Sequence, residues 1–256
     1  RWRTTRPKDA LRSIAPWTIT TIGLPGDGAA PSTTCRSVGA ATDGPYAAAA
    51  YHRTVELWLI RHGLPLRIDG GDGPADPPLA PEGVEQAELM AQWWSRHPID
   101  AVYASPMPRA HETAQPLSET TGHDIVLDDG LREFDAHLNF YVPIEELRAD
   151  EEAWKRLVDE WLSPEAEAKR QQFRTEVIAT IDAIVAKHVG ERVAIVCHGG
   201  VINAYLSDII SLPGTMWFEP AYTSVSRAMA GGSHKQLVSL NETPHLPDLI
   251  VPATVG

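Results

Sequence analysis

The chain has 256 residues, 43% of them apolar and 22% charged, with a formal net charge of −12. Such a chain buries a sizeable core and is expected to hold one large domain, while its acidic balance argues against a nucleic-acid binder, which needs a basic face. Any phosphate it binds must be gripped locally.

The longest strongly apolar runs, such as Val193 to Cys197, fall far short of the roughly 20 residues that a membrane helix needs, so no membrane partner is expected. Cys35 and Cys197 are the only cysteines, one in a polar irregular region and one ending an apolar run. A disulfide framework is not expected, and a reducing cytoplasmic setting fits this usage.

Residues 1–54 carry seven Lys and Arg against three Asp and show no sustained period of two or 3.6. They read as a disordered or non-native N-terminal extension, neither a secretory signal nor a clear transit peptide. From Val55 the texture changes. Val55 to Ile60 predicts a buried strand, residues 65–78 a Pro/Gly/Asp loop, and Pro81 to Arg96 a helix with Val84, Ala87, Met90, Ala91 and Trp94 at helical spacing. Ala101 to Ala104 predicts a second strand, Pro108 to Thr121 a helix ended by Gly122, and Ile125 to Leu127 a third strand.

The segment 136–170 reads as a helical insertion, its charged stretch Asp150 to Arg170 carrying the stripe Trp154, Leu157, Val158, Trp161 and Leu162. Phe173 to His188 predicts a long helix, Arg192 to Val196 a buried strand, and Val201 the start of another helix. Ser224 to Met229 and Gln236 to Leu240 predict two final strands around a Gly-Gly-Ser turn, and residues 246–256 a tail. The expected fold is α/β, a mostly parallel central sheet with helices on both faces, within a domain spanning 55–245.

Two histidines stand in equivalent places, His62 in LIRHG and His198 in VCHGG, each after an apolar strand and before glycine. Parallel strands place their carboxyl ends on one edge, so both imidazoles converge on one crevice. The strand Ala101 to Ala104 delivers SPMPRAHETA to that edge, with Arg109 in the first helical turn, where backbone N–H groups also favour an anion. Zinc spacings such as HExxH or CxxC are missing, and His111 beside Glu112 reads as a solvated pair pointing to different helix faces. Arg61 and Arg109 suit a charge-assisted grip on a phosphoryl group, and an imidazole is an available nucleophile toward phosphorus.

LIRHG, PLAPEGVEQA (Pro78 to Ala87), YASPMPRAHETA (Tyr103 to Ala114), LREFD (Leu131 to Asp135) and VCHGG occur in one order along the chain. In this ordered set the sequence resembles the histidine phosphatase superfamily, also called phosphoglycerate mutase-like or histidine acid phosphatases. The resemblance implies a phosphoglycerate mutase-like fold and no cofactor or metal. It implies that His62 attacks phosphorus and becomes a phosphohistidine, with Arg61, Arg109 and His198 around the nonbridging oxygens as both catalytic and substrate-binding groups. Glu133 aligns with the family's proton donor and acceptor, and Asp135 is the reserve candidate.

Ala80 stands where family members often carry the Thr that caps the helix at PEG, a change costing about 1 kcal/mol of stability. The loop after RHG lacks the Asn and aromatic residues of the family's mutases, and LREFD continues as AHLNFYVPIEEL without their glycine and tryptophan pattern. The expectation is therefore a metal-independent phosphatase acting on a small phosphorylated substrate. Its alternatives are a phosphoglycerate mutase-type phosphotransferase and a noncatalytic phospholigand binder on the same fold. Arg67, Arg132 and Tyr141 are further candidates for contact with substrate, with solvation for the arginines and core packing for Tyr141 and the Trp154/Trp161 stripe as the simpler readings. Nothing in the sequence specifies an oligomeric state.

Overall fold

The structure, a computed structural model, describes residues 54–142, 151–161, 163–214, 216–232 and 234–246. The expected N-terminal extension up to residue 53, residues 143–150 of the expected insertion and the tail from 247 lie outside these.

Strands β1 (Val55–Arg61), β2 (Ala101–Ala104), β3 (Ile125–Leu127), β4 (Arg192–Cys197), β5 (Val225–Gly231) and β6 (His234–Glu242) form one six-stranded sheet in the order β3-β2-β4-β1-β5-β6. The first four are mutually parallel, whereas β5 runs antiparallel to β1 and β6 antiparallel to β5. The sheet is thus mixed, and the parallel expectation holds only for its β3-β2-β4-β1 part. For β6 the physical reason is the short turn after Gly231: a hairpin returns the chain beside itself, while a parallel neighbour needs a long crossover.

Five helices complete the described fold: α1 (Pro81–Trp94), α2 (Pro108–Thr121), α3 (Glu151–Trp161), α4 (Pro164–Lys187) and α5 (Gly199–Ile209). The sheet is buried on both faces, so its central strands are apolar throughout. On one face Leu57, Leu59, Val193 and Ile195 pack with Val177, Ile181 and Ile184 of α4 and Val201, Ile202 and Tyr205 of α5. On the other, Trp58, Ile60, Ala194 and Val196 meet Met90 and Trp94 of α1 and Ala110, Ala114 and Leu117 of α2. Burying each large aliphatic side chain contributes about 1.5–3 kcal/mol before entropy is charged against it.

Several boundaries differ from expectation for local reasons. Helix α1 stops two residues before Arg96, because the chain tightens there into His97 N–H to Trp94 O at 2.8 Å and meets Pro98. Residues 164–170 belong to the long helix α4: Ser163 is its N-cap, accepting from Ala166 N–H at 3.2 Å, and Pro164 occupies the first turn. Of the apolar stripe in α3, the side chains of Leu157 and Trp161, and Leu162 beyond its end, lie outside the described residues. Helix α5 begins at Gly199, so His198 is itself the N-cap residue, and α2 ends on Gly122 at φ 75° as its sequence predicts. Ala80 is the N-cap of α1 and supplies no side-chain cap.

Candidate active site

Sheet register assembles the site. Arg61 pairs with Cys197 across β1 and β4, and Ala104 pairs with Val196 across β2 and β4, so three strands end level. His62, His198 and Ser105 are the next residues out. Beyond the ladder, His62 N–H donates to Cys197 O at 3.0 Å and Ser105 N–H to Val196 O at 3.0 Å. The two imidazole centroids lie 5.1 Å apart.

His62 is only 3% exposed. Its Nδ1 lies 2.7 Å from Gly63 O, and a carbonyl only accepts, so Nδ1 carries the proton and Nε2 keeps the lone pair. Burial, followed by the nearby Arg109 and Arg61 cations, holds this imidazole well below its ordinary range, against a smaller opposing effect of the Gly63 bond. Burial and then Arg109, with His62 and Arg61 adding, depress His198 likewise. Both rings are therefore neutral near pH 7, which suits a nucleophile. His198 Nε2 pairs with Ser105 Oγ at 2.8 Å, while its buried Nδ1 has no hydrogen-bond partner.

The loop carrying His62 is fixed by close backbone approach. A Cβ on Gly63 would lie 2.6 Å from Gly83 O, and one on Gly83 would lie 2.1 Å from Leu64 O, so the glycines of RHG and PEG need each other. Gly63 N–H donates to Thr113 Oγ1 at 2.9 Å, and that hydroxyl donates to Arg109 O at 2.6 Å. Leu64 N–H is accepted by Gln86 Oε1 at 2.9 Å.

Arg61 donates to Pro220 O and stacks its guanidinium 4.0 Å from the Tyr222 ring centroid. Arg109, 1% exposed, reaches Asp76 Oδ1 from Nη1 at 3.3 Å and Met107 Sδ from Nη2 at 3.6 Å; its Nε is buried without a partner. Tyr141 stands over it, ring centroid 5.0 Å from Cζ. This corrects the core-packing expectation for Tyr141: its paired backbone bonds with Ile68, at 2.8 and 2.9 Å, pin it to the loop after β1.

Glu133 leaves the short 3-10 turn Asp129–Leu131, and its carboxyl group spans two backbone donors, Gly200 N–H at Oε2 and Phe134 N–H at Oε1, both at 2.9 Å. Burial, with the neighbouring Asp135 adding, raises its pKa against the two N–H donors and Arg109. Asp135 is raised as well, again chiefly by burial. The surroundings thus favour a proton on this carboxyl pair. A cavity of about 480 Å³ is lined by Glu133, Arg132, Phe134, His137, Lys169 and Phe173, among others.

The five expected residues are accordingly placed on the carboxyl edge of the sheet and on the Glu133 turn that packs against α5. Ser105, Thr113, Asp76 and Tyr222 were not foreseen. Thr113 carried a usable signal, lying one helical turn after Arg109 on the same face. Tyr222, far along the chain from Arg61, carried none. Arg67 and Arg132 lie on the surface, paired with Asp69 at 2.6 Å and Asp129 at 2.8 Å. Glu112 is more than a solvated neighbour of His111, because its Oε2 accepts Leu79 N–H at 2.7 Å and ties the loop after β1 to α2. Among the described residues no group of three or more His, Cys, Asp or Glu side chains is placed to hold a metal ion, and no helix is long and apolar enough to cross a membrane.

Residues 57–243 match the family described as histidine phosphatase superfamily (branch 1). The chain belongs to that superfamily. Among curated relatives of this histidine phosphatase superfamily member, a probable phosphoglycerate mutase GpmB of Yersinia pestis is 29% identical over 168 residues, covering 62% of this chain and 76% of the relative. Among solved structures, a phosphoserine phosphatase mutant from Entamoeba histolytica in complex with phosphoserine is 25% identical with a TM-score of 0.59, covering 75% of this chain and all of that one. An alpha-ribazole phosphatase from Shigella flexneri is also 25% identical, with a TM-score of 0.56 over 73% of this chain and 96% of its own.

Proposed function

We propose that this superfamily member hydrolyses a small phosphomonoester without a metal, through a phosphohistidine on His62. The observation that carries this reading is the His62 tautomer: a neutral imidazole with Nδ1–H bound to Gly63 O and the Nε2 lone pair available, beside two buried guanidinium groups.

In the first step Nε2 attacks phosphorus in line with the ester oxygen. The N–P bond forms as the P–O bond breaks, and Glu133 gives its proton to the departing alkoxide. In the second, the Glu133 carboxylate takes a proton from water as that water attacks phosphorus, and the N–P bond breaks to release phosphate and restore His62. Arg61, Arg109 and His198 hold the nonbridging oxygens, where preorganised donors stabilise the charge that spreads in the transition state. Glu133 suits both steps because burial keeps its carboxyl protonated further up the pH scale than usual.

The test is phosphate release from p-nitrophenyl phosphate, phosphoserine and 3-phosphoglycerate with chelator present, for the native protein and His62→Ala. Chelator-resistant release lost in the variant, with acid-labile phosphate trapped on the native protein, supports the reading; full activity in His62→Ala sinks it. The mutase-named relative supports a second reading, transfer of the phosphoryl group to another substrate oxygen. Interconversion of phosphoglycerates with little phosphate released would favour that reading.

A further inference from the structure

Two buried guanidinium groups converging on one phosphoryl site raise a problem of release. Inorganic phosphate has nearly the charge and shape of the transferred group, and cations that grip substrate and product equally well slow turnover without helping the chemical step. Arg109 Nη1 faces the carboxylate of Asp76 at 3.3 Å. That separation exceeds the roughly 2.7–2.9 Å of a tight charge-assisted bond, so Asp76 attenuates the cation without capturing it.

Asp76 is held in place by the chain on both sides. Ala75 N–H donates to Leu138 O at 2.6 Å, Leu79 N–H to Glu112 Oε2 at 2.7 Å, and Ala80 N–H to Leu64 O at 2.8 Å. Its own side chain is 35% exposed while that of Arg109 is 1% exposed, so the carboxylate stands between the buried guanidinium and solvent. Arg132 and Asp135 act on it electrostatically besides Arg109.

We propose that Asp76 is a positioning residue acting through Arg109, whose negative charge lowers the affinity of the site for phosphate and speeds release of the product. The inference rests on the phosphatase reading above. It fixes a sign: a neutral isostere that keeps an acceptor for Nη1 strengthens phosphate binding, whereas a residue that serves only to orient Arg109 weakens binding when altered.

The experiment is calorimetric titration of the full chain with inorganic phosphate at fixed ionic strength, for the native protein, Asp76→Asn and Asp76→Ser, alongside phosphate inhibition of aryl phosphate hydrolysis. The expected result is binding roughly three- to tenfold tighter in both variants, the size of one partly solvent-screened charge, with the inhibition constant falling in parallel. Unchanged or weaker binding in the folded variants overturns the inference and leaves the phosphatase reading standing. Binding by the native protein without hydrolysis of any phosphomonoester overturns the phosphatase reading while the affinity comparison still decides the role of Asp76. No binding of phosphate by native or variant protein overturns the inference, while hydrolysis by the native protein decides the phosphatase reading separately.

Discussion

Glu133 and Gly200 are in direct contact. The Gly200 N–H donates to Oε2 at 2.9 Å, and a Cβ on Gly200 would lie 2.1 Å from Oε1, inside any permissible contact. The second glycine of VCHGG therefore exists to let the proposed proton donor reach the N-terminus of α5. Gly200→Ala should expel the carboxyl group from this seat, cutting kcat on alkyl phosphates at least tenfold with little loss of stability, because the atom that must yield is the far end of a side chain. Steady-state kinetics and a denaturation curve check both, and native kcat in a folded variant would show that Glu133 does not need this seat.

The proton-donor role makes a second prediction through the leaving group. An alkoxide needs its proton as the P–O bond breaks, while p-nitrophenolate leaves without one. Glu133→Gln should lower kcat/KM for phosphoserine about 10²–10⁴-fold, the usual span for a general acid, and affect p-nitrophenyl phosphate far less in its first step. Equal losses on the two substrates would argue that Glu133 only supports the structure. Asp135→Asn provides the comparison, with a smaller and substrate-independent effect.

The legibility of the fold divides along physical lines. β2, β3 and α2 lie where their residues predict them, because strong apolar runs and the stop signals Pro108 and Gly122 bound them. The β5-β6 hairpin is legible from its short turn, whereas the antiparallel pairing of β5 with β1 is not, since direction depends on connection length and path more than on strand composition. The positions of His62, both guanidinium groups and His198 are legible because each sits at the end of a strand or the start of a helix, where local sequence fixes position. Tyr222 and Asp76 come from irregular segments and reach the site only through tertiary contact, so no period or spacing announces them. Tyr141 lies outside the core for the same reason: it is half-buried and its ring faces the Arg109 cation.

Thr113 links two halves of the site, accepting Gly63 N–H and donating to Arg109 O. Thr113→Val keeps the shape and removes the hydroxyl, leaving the Gly63 N–H buried without a partner. The expected cost is about 1–3 kcal/mol of stability together with a several-fold rise in KM as the turn after His62 loosens. Thr113→Ser should restore most of both, and failure of that rescue would point to packing of the lost methyl group.

The buried ionisable groups give stability a pH dependence with two opposing signs. His62, His198 and His245 all have depressed pKa values from burial first, His245 to about 4. As pH falls below about 6.5 the unfolded chain takes up protons that the fold refuses, so these rings remove stability on the acid side. Glu133 and Asp135 are raised, chiefly by burial. They act oppositely: the fold keeps protons that the unfolded chain loses above about pH 4, so they remove stability as pH rises toward their folded values. In the shared window from about pH 4.5 to 6.5, His198→Gln should therefore flatten the fall of Tm toward acid, and Glu133→Gln should steepen it. Calorimetric scans across that window decide the matter, and parallel Tm profiles for native protein and both variants would show that the site groups do not titrate as their burial requires.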